Sequence, residues 1–358
     1  MESVEKTVLQ TYPLHAVHLI GRYLRLLSVY TVYQYLLLSG SSVVVFTFSC
    51  ISTAALIFLI VHRPWRGRSL TTYQLVPSII NGAFLSLSYV LWGLGLRACG
   101  PLRTIMAEYV GAVLGAISTL ILGKAGGKWK KVAGLVAMLA SYFFLSQGWA
   151  MSTFSPFSYR VDPKIDGKVT EEESLGFQSM SFAILGGALA GICRVIARRV
   201  SLKTQMKRRL HVVTVVAAAC FLFPVAVFEA TQTTTKAKVQ THTIPIWTFI
   251  FNTLFGIILP FYMDVVAEER LHISVASPKH LLVTSGCIST LEFIYGMDFS
   301  FLGFLICAFL LGLGIFEATP LERGQRESAQ LPMQVGNFDG SPISPMMSPI
   351  IDARQEEQ

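Results

Sequence analysis

A chain of 358 residues with a formal charge of +8 is long enough for two or three soluble domains, and basic enough to suggest a nucleic-acid partner. Composition argues against both: 53% of the residues are hydrophobic and 14% charged, against roughly 25% charged in soluble domains. The apolar residues come in blocks of about 20, which match the ~30 Å hydrocarbon core at 1.5 Å per helical residue. The sequence reads as an all-α polytopic membrane protein, and its basic residues as topology signals with no nucleic acid involved.

A polar lead, 1–13, precedes a transmembrane domain spanning 14–320. Its ten predicted spans are 14–37, 42–61, 74–96, 102–122, 131–149, 176–197, 210–229, 245–266, 279–296 and 299–317. The first carries Arg22 and Arg25, and the short ninth carries Glu292. Basic clusters follow alternate spans: Arg63, Arg66 and Arg68 after the second, Lys124, Lys128, Lys130 and Lys131 after the fourth, and Arg198 to Arg209 after the sixth. The intervening loops are poorer in Lys and Arg or offset by acids, as in 150–175. By the positive-inside rule both termini are cytosolic, and the span count is even. The segment 230–244 reads as a second longer non-cytosolic loop, and 321–358, rich in Gln, Ser and Pro, as a disordered cytosolic tail with Ser-Pro steps at Ser341, Ser344 and Ser348. No cleavable signal peptide is expected.

Between the third and fourth spans, Gly100 permits a tight corner and Pro101 suits a first helical turn, where its missing N–H is not needed. Arg103, two residues further in, can snorkel to the interface. At 100° per residue, Thr104, Glu108, Gly111, Ala112 and Gly115 form one small-residue stripe for close helix approach. Met106, Val110, Val113 and Ile117 then face lipid. Glu108 and Glu292 project to roughly 10 Å below the non-cytosolic surface, while Arg22 and Arg25 share one face of the first span near the midplane. Arg194 and Asp264 project to cytosolic helix ends. A charge at a helix centre costs about 2.5–3.5 kcal/mol, so these side chains should turn inward and pair. Two acids and two arginines make either a structural ion-pair network or the wall of a solute cavity.

Other chemistry is thin. The six cysteines are scattered without a CxxC and read as small core residues. The seven histidines read as neutral interfacial side chains. No phosphate loop, Gly-x-Ser-x-Gly or His-Glu-x-x-His occurs, so neither an enzyme nor a cofactor is expected, and no Asn-x-Ser/Thr sequon is present.

Ten short spans with both ends inside resemble the drug/metabolite transporter architecture, two five-helix repeats of inverted topology, which would relate the fourth span to the ninth. A closer resemblance lies in Cys99, Gly100, Pro101, Leu102, Arg103 and Thr104. This CGPLRT resembles a signature in the long N-terminal membrane region of the large secretory-pathway zinc transporters of the cation diffusion facilitator family. Arg22-Tyr23-Leu24-Arg25 and Phe261-Tyr262-Met263-Asp264 are similar to a basic pair and an FYxD in the same region. In that family zinc is carried by a C-terminal six-helix domain with paired His and Asp ligands, and the sequence to Gln358 contains none of them. The resemblance therefore implies the N-terminal module alone. It would serve zinc homeostasis in Golgi-type membranes through assembly or regulation, within a hetero-oligomer with another zinc transporter subunit, zinc being a transported ion and not a resident metal. The alternative is a self-sufficient solute carrier, for a nucleotide sugar or another metabolite, working by alternating access around Glu108, Glu292, Arg22 and Arg25.

Overall fold

The computed structural model describes residues 2–39, 42–65, 70–122, 128–156, 176–202, 207–236, 246–266 and 277–318. The acidic stretch 157–175, the basic residues Arg66, Arg68 and Lys124, and the tail with its Ser-Pro steps lie outside them. So do the side chain of Asp264 and the histidines His242 and His272. Every regular element among the described residues is a helix, with no strand.

In chain order the helices are α1 (Glu2–Ser39), α2 (Val43–His62), α3 (Thr72–Ala107), α4 (Val110–Leu122), α5 (Lys128–Ser146), α6 (Phe177–Leu202) and α7 (Lys207–Lys236). Next come α8 (Ile246–Phe251), a π-helical segment (Asn252–Ile258) and α9 (Leu259–Val266), which run on as one rod. Last are α10 (Pro278–Tyr295) and α11 (Phe301–Ala318). The polar lead is therefore helical from Glu2, and α7 runs seven residues into the segment read as a loop from 230. Local chemistry marks the starts and stops. Ser42 and Ser277 cap α2 and α10 by accepting from Val45 N and His280 N. Pro278 takes the first turn of α10, and Gly296 closes it at φ 59°. Just before Pro260, which cannot donate to the helix ladder, the bonding widens to i→i+5.

Six helical segments are long and apolar enough to cross a bilayer: Val43–His62, Thr72–Ala107, Phe177–Val200, Arg208–Gln232, Ile246–Met263 and Phe301–Ala318. Their outward faces carry exposed Leu56, Ile60, Phe182, Phe228 and Phe309. Such a continuous apolar exterior needs lipid as its solvent, and the chain is an integral membrane protein. Trp65, Tyr73, Trp129 and Trp247, each at a helix end, are at least 66% exposed, the placement of aromatic belts at a membrane surface.

At 36 residues, α3 is about 54 Å long if straight, well beyond one hydrocarbon core. It is not straight. Gly100 adopts φ 79°, ψ 171°, outside the helical region. Along α6 the partners run in opposite orders on the two sides of that residue. Gly186 accepts from Ser88 Oγ and Ala183 abuts Gly95, whereas Gly187 abuts Ala107 and Gly191 abuts Gly111. The legs before and after Gly100 are therefore antiparallel, and the corner expected at Gly-Pro is a hairpin held against α6. Main-chain contacts this close are possible because the residues are glycines: a Cβ on Gly187 would lie 2.0 Å from Ala107 O.

Two expectations for the fourth span fail. Met106, Val110 and Val113, assigned to lipid, are buried in the main apolar core, while Gly115 has open space beside it. The helix is interrupted after Ala107, where Glu108 N and Tyr109 N bond back three residues to Ile105 O and Met106 O, before α4 starts at Val110. A 100° projection carried through that break assigns the faces wrongly. Arg103, expected at the interface, is 3% exposed.

Candidate functional site

The charged side chains expected to balance one another fall into two clusters. The larger begins on α1, where Gly21, Arg22 and Arg25 face α9 and α10. With His18, Pro260, Met263 and His280 they line a cavity of about 10 Å³, room for one water. Gly21 lets Met263 close one wall: a Cβ there would stand 2.9 Å from the thioether.

Arg22 is 5% exposed. Its Nε donates to Thr284 Oγ1 at 3.2 Å, and Tyr109 OH lies beside Thr284 Oγ1 at 2.7 Å and His280 Nδ1 at 2.9 Å. Thr284 in turn donates to His280 O at 2.8 Å, one helical turn back. Arg22 thus engages neutral hydroxyls. Arg25 takes the acid: its Nη2 donates to both carboxylate oxygens of Glu108 at 2.8 Å, with the two side chains 22% and 14% exposed. Glu108 sits at the break between α3 and α4, and Arg194 Nη2 donates to its main-chain carbonyl at 3.3 Å. Glu108 lies level with Gly187 and Gly191 in the middle of α6, within reach of Arg194.

Glu292 belongs elsewhere. It accepts from Tyr30 OH at 2.6 Å and is 3% exposed, and Tyr30 stacks on Tyr295 at 5.3 Å. Eight residues separate it from Thr284, about 12 Å along α10. The four charges expected to balance one another are thus divided: Arg25 with Glu108, Arg22 with Thr284 and Tyr109, and Glu292 with Tyr30.

The CGPLRT residues form neither cluster; they build the hairpin. Thr104 Oγ1 donates to Gly100 O at 2.8 Å, and Cys99 Sγ lies 3.5 Å from Thr104 Oγ1. Pro101 and Leu102 are buried, and Arg103 Nη2 donates to Met151 Sδ in the loop after α5. That loop is also tied to the corner before α11. Asp298 accepts from the main-chain N–H groups and hydroxyls of Ser152 and Thr153, and Ser300 N donates to Ala150 O.

Sequence reasoning passed over His18, Tyr30, Tyr109, His280 and Thr284. His18 and His280 are not interfacial: they are 8% and 3% exposed, with ring centroids 6.0 Å apart. A signal was present, since His18, Arg22 and Arg25 recur at helical spacing, as do His280 and Thr284. Among the described residues no group of three or more His, Cys, Asp or Glu could hold a metal. No protein-family model matches the chain.

Proposed function

We propose that the chain is a ten-span membrane protein of two inverted five-helix repeats, serving secretory-pathway zinc homeostasis as an assembly or regulatory module. Several contacts support the repeat. The 72–99 leg packs on α6 and, reciprocally, the 246–266 rod packs on α1, while α2 pairs with α7 and α5 with α11. An inverted exchange of spans one to five with six to ten maps each of these contacts onto another or onto itself. Ends assigned to one side also meet one another: Arg209 donates to Pro64 O, and Tyr262 OH bonds His62 Nε2. At the other end Asp298 meets Ser152.

The zinc-related reading rests on the CGPLRT resemblance and on one observation of geometry. Among the described residues Glu108 pairs with Arg25 and Glu292 with Tyr30, and two guanidinium groups line the cavity between α1, α9 and α10, the wrong lining for a zinc path. The chain therefore acts on a partner subunit in Golgi-type membranes, and both its termini are cytosolic. Co-expression with a zinc transporter subunit tests this. The expected result is co-purification and increased vesicular zinc uptake, with no uptake by the chain alone. Saturable zinc uptake by the purified chain in proteoliposomes would defeat it.

A second reading is favoured by buried Arg22 in a cavity walled by α1 from one repeat and by α9 and α10 from the other. On it the chain is itself a carrier of an anionic metabolite, such as a nucleotide sugar. Uptake of that solute by the purified chain, abolished by Glu108→Gln, is the expected result; no uptake of any anionic metabolite counts against it.

A further inference from the structure

We infer that the membrane face where α2 ends and α7 begins binds the headgroup of an anionic phospholipid. The inference goes beyond both functional readings, since it concerns neither zinc nor a transported solute.

The sequence supplies the charge. Residues 62–71 hold Arg63, Arg66 and Arg68, and 198–209 hold six more Lys and Arg, with no Asp or Glu in either stretch. The fold brings the two stretches to one place. Helices α2 and α7 pack side by side, and Arg209 Nε donates to Pro64 O at 3.1 Å, tying the start of α7 to the residues just past α2. The positive-inside rule asks only that cations stay on one side of the bilayer. It does not ask two stretches far apart in the chain to meet.

The sign of the charge survives the neighbouring acids. Arg63, Arg199 and Arg208 are exposed, and none of the three forms an ion pair among the described residues. Tyr262 OH bonds His62 Nε2, so α9 ends beside this face, and Asp264, Glu268 and Glu269 follow Tyr262 in the sequence. Were all three carboxylates to stand against the basic stretches, six of the nine positive charges would remain.

Depth selects a lipid as the partner. Trp65, next to Pro64, is 66% exposed, and Tyr73, in the first turn of α3, is 84% exposed. Rings of this kind settle at the headgroup level, so the guanidinium groups beside them stand at the depth of lipid phosphates. The arginine fork matches phosphate oxygens in pairs, and clustered cations at a membrane surface attract anionic headgroups.

The test uses the purified full chain in neutral detergent, with the thermal unfolding midpoint followed as dioctanoyl lipid is added. The probes are a phosphatidylinositol phosphate, phosphatidylserine and phosphatidylcholine. A saturable rise with either anionic lipid and none with phosphatidylcholine is the expected result, weakening as salt is raised. Arg63→Gln, Arg199→Gln and Arg208→Gln combined should raise the half-saturating concentration at least about tenfold. Lys128→Gln, Lys130→Gln and Lys131→Gln combined, which remove the same charge from the first turn of α5, should leave it unchanged. Three results overturn the inference: no anionic lipid stabilising the chain over phosphatidylcholine, equal weakening by the two triple variants, or the inositol phosphate headgroup without acyl chains stabilising as well as its lipid. Should the arginine triple variant fail to fold, its three single variants decide, and unchanged binding in all of them is fatal.

Discussion

Glu108 shows how one position can carry several duties. Its carboxylate meets Arg25, its carbonyl accepts from Arg194, and its main-chain N–H closes a tight turn where α3 ends. Removing one partner of a buried ion pair leaves the other charge uncompensated and costs more than removing both. Arg25→Gln and Glu108→Gln should therefore each lower thermal stability more than the double variant does. The double-mutant cycle should give a coupling of about 0.5–3 kcal/mol, and additive effects would show that the pair contributes nothing. Gly100 is the other position where a single residue decides the path of the chain. At φ 79°, ψ 171° an L side chain is strained, so Gly100→Ala should cost about 1–3 kcal/mol, read as a lower unfolding midpoint.

At the scale of elements, α6 holds both legs of the hairpin because glycines on it remove the side chains that would keep the backbones apart. Gly187→Val would drive carbon into Ala107 O and should destabilise by about 1–3 kcal/mol or more. Gly115→Val, with nothing within 4 Å, should leave the unfolding midpoint unchanged. Equal effects of the two would refute the close packing of α6 on the hairpin. The loop after α5 depends on a different device: Asp298 gathers four donors from Ser152 and Thr153. Asp298→Asn replaces two charge-assisted acceptor oxygens by one neutral acceptor and a donor. It should raise hydrogen exchange and protease cleavage at 151–156 while α5 and α11 keep their protection.

For the whole molecule, what matters is which helix ends share a side of the membrane. Ten-span threading puts Trp65 and Trp129 at one surface and Phe154 and Trp247 at the other, all four at least half exposed. In a Cys220→Ser background, which removes the exposed native thiol, single cysteines at Trp65 and Trp129 should react with an impermeant maleimide from one face. Cysteines at Phe154 and Trp247 should react from the opposite face. Labelling of all four from the same side would remove the threading and, with it, the inverted repeat.

The amino-acid sequence alone determined the solvent of this protein and most of its helices, because block length and hydropathy are local properties that the bilayer reads directly. Helices α2, α10 and α11 begin and end within a few residues of the hydropathy blocks, and the Gly-Pro corner was legible because only glycine adopts that conformation freely. Pairing was not legible. That Arg25 meets Glu108 follows from long-range packing of α1 on the end of α3, and that Glu292 meets Tyr30 and His18 approaches His280 from packing of α1 on α10, to which no sequence period points. The lipid-facing side of the fourth span was misread for a related reason. A helical projection assumes an unbroken helix, and the helix breaks at Glu108, beside the contact of Ala107 with Gly187, far away in the chain.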